Sequence, residues 1–269
     1  MGRQALIILL AAIMSVGTAE PSAAQGKGGG KSGKPAPAQS QENYEQLGQV
    51  PVGLLAVFPT GARCSEVASP FGSPVRFDGS PRVNDHFGFH NGMDIAAKEG
   101  TPLLSIAGGD VIHSGEGGLL VGNYVWLRYA PNDTGLPVYL FARYQHLDKP
   151  SPLKIGARVT LGEIVGPVGK TGTIGPYFGP AGFSHLHLLV FAGDGPDFTI
   201  RDAVVEASVY RRYLDPLAVF MKPTTTFDNH VLSTLPDSEK RIAIPYQTAD
   251  GRREPADTKM VWPIACARS

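Results

Sequence analysis

Seven histidines occur in the 269-residue chain: His86, His90, His113, His146, His185, His187 and His230. Two of them stand two residues apart inside an apolar run, 183-FSHLHLLVFA-192. Residues i and i+2 of a β-strand project from one face. His185 and His187 therefore face the same way, about 7 Å apart along the strand, and both rings can reach one small site. A single buried histidine bonded to a carbonyl is commonplace. A pair on one face of an apolar strand fits a metal centre as well as it fits a structural role.

A second constellation is 90-HNGMD-94. A spacing of four would bring His90 and Asp94 together on a helix, but Gly92 and the neighbouring turn residues favour a bent strand or loop. Alone, an aspartate after a glycine-containing turn is an ordinary turn residue. The downstream HxH changes its weight. One His, one Asp and a second His would supply three protein ligands to a tetrahedral zinc, leaving its fourth position for water, as in catalytic rather than structural sites. The helical HExxH arrangement with its glutamate base is absent. Unligated imidazoles, which titrate near neutral pH, can fill that role.

The elements that must position these residues are short. Thirty-three Gly and 23 Pro punctuate the chain densely, which predicts many short strands and turns. The runs 102-PLLSIAG-108, 123-NYVWLRYA-130, 138-VYLFARYQHL-147 and 186-LHLLVFA-192 read as strands, and the fold class is mainly β with few short helices. The exception is 202-DAVVEASVYRRYLDPLAVFM-221. There an Asp cap and one or two helical turns before Pro216 are expected. The segment 131-PNDTGLP-137 reads as an extended loop, and 169-GKTG-172 as a turn, since it lacks the full phosphate-loop spacing.

At this point the sequence resembles the lysostaphin/LytM-type zinc endopeptidases that cut peptidoglycan. The resemblance rests on HxxxD, Y-x-H-L and HxH in that order. It extends over 90-HNGMDIAAKEGTPLLSIAGGDVIHSG-115, 122-GNYVWLRY-129, 144-YQHLDK-149, 155-IGARVTLGEIVGPVGKTGT-173 and 185-HLH-187. It implies a small antiparallel β-sheet domain with a groove, of the duplicated-hybrid-motif type. It also implies Zn2+ held by His90, Asp94 and His187, with His146 and His185 as catalytic histidines and the peptide portion of peptidoglycan as substrate. Two departures stand out: 188-LLVF-191 follows the HxH where the family often has Phe and Glu, and 173-TIGPYFGPAGFS-184 is enlarged. His86 reads as a solvated loop residue, His113 and His230 as structural, and Tyr144 as core or cleft wall.

Two competing readings are a non-catalytic LytM-like regulator of other wall hydrolases and the same zinc chemistry on a non-wall protein. Retention of all five residues favours the enzyme. A formal net charge of zero argues against nucleic acid or an anionic membrane as main partner; a regulatory protein partner stays open.

The remaining segments set the organisation. Arg3 and the apolar run 5-ALIILLAAIMSVG-17 predict a cleaved signal peptide over 1–24, with cleavage after Ala19 or Ala24 and no membrane span in the mature protein. Residues 25–48 read as a flexible Gly/Lys/Pro-rich spacer, 49–222 as the peptidase domain and 223–269 as a C-terminal extension. Export is implied, to a periplasm by preference, with secretion or wall association as alternatives. Cys64 and Cys266 are the two cysteines. In an oxidising compartment they are expected to pair, the alternative being two free thiols.

Overall fold

The computed structural model describes residues 48–82, 88–175, 179–201, 203–207, 212–223 and 226–268. The expected signal peptide, nearly all of the spacer, His86 and Asp202 lie outside the described residues. The protein is mainly β. Its centre is an eight-stranded sheet of β1 (Val67–Ser69), β2 (Met93–Ala96), β3 (Gly109–Glu116), β4 (Asn123–Tyr129), β5 (Tyr139–Leu147), β6 (Arg158–Val159), β7 (His185–Gly193) and β8 (Arg212–Leu214). The spatial order is β1-β2-β7-β5-β4-β3-β6, with β8 added along the far end of β7. Every pairing is antiparallel.

The central strand β7, HLHLLVFAG, is buried at every residue. Both of its faces are covered, which is why it reads as a continuous apolar run rather than an alternation. One face carries Leu186, Leu188 and Val190, with Ile95 and Tyr144 beside them in register. A second layer covers that face, including the antiparallel ladder of Pro102–Leu104 with Ile164–Pro167. The Ile106 N–H donates to the Tyr144 hydroxyl (3.0 Å), which meets the Tyr129 hydroxyl (3.1 Å) and through it Ser105 (3.2 Å). Burial pushes the Tyr129 phenol up to about 12 and Tyr144 well above its ordinary value. Tyr144 of the Y-x-H-L motif is thus a neutral core residue that pins the second layer to the sheet. The opposite face of β7 carries His185, His187, Leu189 and Phe191. At its far end Phe191 stacks on Trp126 (5.8 Å), and the Trp126 indole and Arg143 guanidinium both donate to the Ala203 carbonyl (2.9 and 3.0 Å).

Ala203 lies in a hairpin that the sequence did not suggest. Among the described residues after 202 no helical turn precedes Pro216: Phe198–Arg201 and Val204–Ala207 form an antiparallel ladder, and Arg212–Leu214 is β8, while residues 208–211 lie outside the described residues. β-branched Val204 and Val205 favour the extended backbone once a partner strand is at hand. Helical structure starts only at Pro216, as a 3-10 turn over Pro216–Phe220. Proline suits that first position, and the cap is Asp215, whose carboxylate accepts from Leu217 N–H at 2.9 Å. A further departure is residues 131–137, where Pro131–Thr134 is one helical turn closed by left-handed Gly135.

Asp215 is buried, and burial raises its carboxyl from its ordinary 3.8 to about 7, against the opposing Leu217 hydrogen bond. The native state therefore keeps a proton that the unfolded chain releases, so stability falls as pH rises from about 4 to about 7. Asp215→Asn preserves the acceptor without the charge. Its melting temperature is expected to exceed wild type at pH 8, by an amount equivalent to about 2–4 kcal/mol, and to match it near pH 4. Equal melting temperatures at pH 8 would contradict the assignment.

Described residues of the 226–268 segment are built into the second layer. Arg241–Ala243 pairs in parallel with Leu55–Val57, and Ala267–Arg268 pairs with Ala62–Arg63. Trp262 is fully buried and meets Phe58 edge-on at 5.3 Å. Cys64 and Cys266 form a disulfide. Val261 N–H bonds Ile106 O and Leu104 N–H bonds Pro263 O, which puts this segment on the Tyr144 side of the sheet, away from His187.

Candidate active site

β2 and β7 bring the first three residues together. Their register sets His187 opposite Asp94 and His185 opposite Ala96. His90 precedes β2, and its backbone is fixed to Ser73 O (3.0 Å) and Gly72 N (2.8 Å). The His90 Nδ1 lies 3.0 Å from Pro70 O. A carbonyl only accepts, so Nδ1 carries the proton and Nε2 presents a lone pair. That Nε2 stands 3.1 Å from His187 Nδ1 and 3.2 Å from Asp94 Oδ1, and the last two are 2.9 Å apart. All three residues are buried. Gly92 makes the approach feasible: a Cβ there would lie 2.5 Å from His187 Nε2 and 2.7 Å from Leu188 O.

Two further imidazoles flank this cluster. His185 donates from Nδ1 to Phe183 O (2.8 Å), and its Nε2 is 3.4 Å from Asp94 Oδ1. His146 donates from Nδ1 to Thr171 O (2.8 Å). Its ring lies 4.6 Å from that of His185 and 6.0 Å from that of His187. Simple alternation would turn His146 away, because Gln145 is the register partner of His187. A β-bulge corrects this. Between the pairs Asn123–Leu147 and Val125–Tyr144, β5 holds one residue more than β4, and His146 takes a left-handed φ of 63°. Bulges re-aim side chains in this way beside functional sites.

The electrostatics suit a cation. Burial pushes the His187 imidazole down to about 3, against the pull of Asp94, so the ring is neutral and keeps a lone pair at neutral pH. His146 is held well below its ordinary value by burial and then by the neighbouring His185 and His187. For Asp94, burial acts upward, but His90, His185 and His187 together outweigh it and hold the carboxyl well below the usual range. His90 Nε2, Asp94 Oδ1 and His187 Nδ1 are thus electron-pair donors aimed at one point. Ligands about 2 Å from a tetrahedral zinc lie about 3.3 Å from one another, close to the separations here. The donor set fits zinc.

The five residues expected from the sequence stand together. His113 is half-buried on β3, tilted against Tyr124 (5.7 Å), and His230 is exposed in the short helix Asn229–Ser233; neither joins the cluster. The sequence reading missed Arg82. It is buried, donates to Ser69 Oγ (3.1 Å) and Val75 O (3.3 Å), and stands 3.8 Å from Asp94 Oδ2. It also missed Phe183, which stacks between His185 (4.5 Å) and the exposed Phe77 (3.8 Å). Arg82 reaches the site through contacts distant in sequence, whereas Phe183 stands two residues before His185 and could have been read from that spacing.

In this mainly β domain the sheet presents a buried His/Asp/His donor set that could hold a metal ion, beside two more imidazoles. Residues 88–195 match the family model for peptidase family M23. Three solved structures share 24–26% identity with the chain. The lysostaphin catalytic domain from Staphylococcus simulans is 25% identical, with 45% of this chain and 77% of that one covered and a TM-score of 0.33. LytU is 24% identical, with 62% and 90% covered and a TM-score of 0.38. A zinc-containing peptidase from Vibrio cholerae is 26% identical, with 55% and 38% covered and a TM-score of 0.36. No curated protein matches the chain.

Proposed function

We propose that this chain is an exported zinc metalloendopeptidase that hydrolyses peptide bonds in the stem peptides or cross-links of peptidoglycan. The observation that carries the reading is the convergence of His90 Nε2, Asp94 Oδ1 and His187 Nδ1 within 3.2 Å of one another, beside two imidazoles outside that trio. His90, Asp94 and His187 would hold the metal. When bound, zinc supplies Lewis acidity toward a peptide carbonyl and lowers the pKa of a water in its open position. The protein's own proton chemistry then rests on His146 and His185. Each has Nδ1 committed to a backbone carbonyl, so Nε2 is the atom that takes or gives a proton. One Nε2, as a lone pair, accepts the proton of the attacking water, and the other donates to the developing oxyanion when its ring is an imidazolium, protonated on both nitrogens.

Export fits the proposed signal peptide over 1–24 and the Cys64–Cys266 disulfide, which persists in oxidising compartments. A periplasm is the proposed location. The test is digestion of purified peptidoglycans by the zinc-loaded protein, with and without chelator, and mass spectrometry of the released fragments. Chelator-sensitive release of peptide-cleaved fragments is expected; no release from any peptidoglycan type would end the hydrolase reading.

A further inference from the structure

We infer that Thr171 is a positioning residue for His146, acting through a clamp formed by the loops 117–122 and 169–172. The inference rests on the proposed proton-transfer role of His146. That residue sits in a left-handed backbone conformation, φ 63°, which costs a non-glycine residue about 1 kcal/mol or more and persists only where its surroundings over-determine it. The surroundings here are two interlocked loops. The first, 117-GGLLVG-122, accepts the His146 backbone N–H at Val121 O (3.2 Å). The second, 169-GKTG-172, accepts the ring Nδ1–H at Thr171 O (2.8 Å). Backbone and ring of one histidine are thus held from separate loops.

The Thr171 hydroxyl locks these loops to the sheet. It donates to Leu147 O (2.7 Å), the residue after His146, and accepts from Asn123 N–H (2.8 Å), the first residue of β4. Both of its hydrogen-bonding roles are therefore filled within the bulge that aims His146. Close approach is reserved to glycine on each side. A Cβ on Gly122 would collide with Thr171 O, and one on Gly172 with Gly122 N, both in left-handed backbone. Leu120 N–H closes the clamp on Gly172 O (2.8 Å). The clamp keeps the proton on Nδ1 and leaves Nε2 facing the site. The hydrogen bonds of the clamp run to His146, Leu147 and Asn123 rather than to His90, Asp94 or His187, so it governs proton transfer rather than metal binding.

The test compares Thr171→Val, isosteric without a hydroxyl, with Thr171→Ser, which restores it. Full-length protein is measured for zinc per chain, for kcat and KM on a soluble cross-linked muropeptide, and for the 15N ring shifts of His146. Expected for Thr171→Val is a kcat loss of about ten- to a hundredfold, the scale of a misplaced catalytic group, with zinc and KM unchanged and the single Nδ1–H tautomer lost. Thr171→Ser is expected to recover most of the kcat. Wild-type kcat and ring shifts in Thr171→Val, or equal impairment of both variants, would overturn the inference. So would an Nε2–H tautomer in wild type, a measurement that needs no variant to fold. If wild type cleaves no muropeptide, the peptidase reading fails, while the ring shifts of wild type and Thr171→Val still decide the clamp.

Discussion

His187→Ala is expected to lose zinc and peptidase activity together, whereas His185→Ala keeps zinc and loses turnover. The two residues stand two apart on β7, face the same way and are equally buried in practice, so burial and position do not separate them. What separates them is where each nitrogen is committed. His187 Nδ1 lies 2.9 Å from Asp94 Oδ1 and 3.1 Å from His90 Nε2, inside the cluster of donors. His185 has its Nδ1 tied to Phe183 O, and its Nε2 stands at 3.4 Å from the carboxylate, at the edge of the cluster and next to His146. Removing His187 leaves two ligands, too few to hold zinc through dialysis. Removing His185 leaves all three, and the loss falls on proton transfer, typically 10²–10⁴-fold. Zinc per chain by elemental analysis and kcat on muropeptides would be measured in parallel. Equal zinc in both variants would mean that the division of labour along the strand is drawn wrongly.

Much of this site is legible in the sequence because it depends on period-2 geometry. His185 and His187 share a face by alternation alone, and the strand turned out to be buried on both sides, as its uninterrupted apolar run suggests. The placing of Asp94 needed only β2 beside β7. His146 is different. Alternation from Gln145 puts it on the wrong face, and only the bulge at φ 63° returns it. A bulge adds one residue, and nothing in YQHL marks which one. The family resemblance named His146 where strand geometry could not. The partners of the imidazoles were also hidden. The bonds that Pro70, Phe183 and Thr171 accept from the imidazoles go to backbone carbonyls, which every residue possesses, so side-chain type gives no signal of those bonds.

The departure after residue 202 has a tertiary cause. The stretch 202–221 has local features of a helix start, but Val204–Ala207 finds a strand partner in Phe198–Arg201, and tertiary pairing overrides weak propensity. Residues 223–269, read as a C-terminal extension, are polar and proline-spaced in composition. Their apolar ending, MVWPIAC, supplies Val261, Trp262 and Ile264 to the core. A few large side chains bury enough surface, about 1.5–3 kcal/mol each, to dock a tail whose average character is polar.

That docking shapes the second large expectation: loss of the Cys64–Cys266 bridge is expected to weaken the whole domain rather than free its end. The two cysteines are 202 residues apart, so the closed loop contains almost the entire fold. In the chain-entropy picture a loop of this length restricts the unfolded ensemble by about 5 kcal/mol, against a total stability of about 5–15 kcal/mol for a typical domain. Were the tail a loose appendage, breaking the bridge would let it fray while the sheet stayed intact. Trp262 argues otherwise. It packs on Phe58 (5.3 Å) and Phe220 (6.1 Å) and donates from its indole to Ser65 O (3.1 Å), so the tail cannot leave without opening the core beneath it. Cys64→Ser/Cys266→Ser is therefore expected to unfold in urea in one transition, shifted by about 3–5 kcal/mol, with tryptophan fluorescence and far-ultraviolet circular dichroism changing together. A fluorescence transition that precedes loss of the β signal would instead show the tail detaching alone. A shift under about 1 kcal/mol would show that native contacts of the tail, not the covalent link, restrain it.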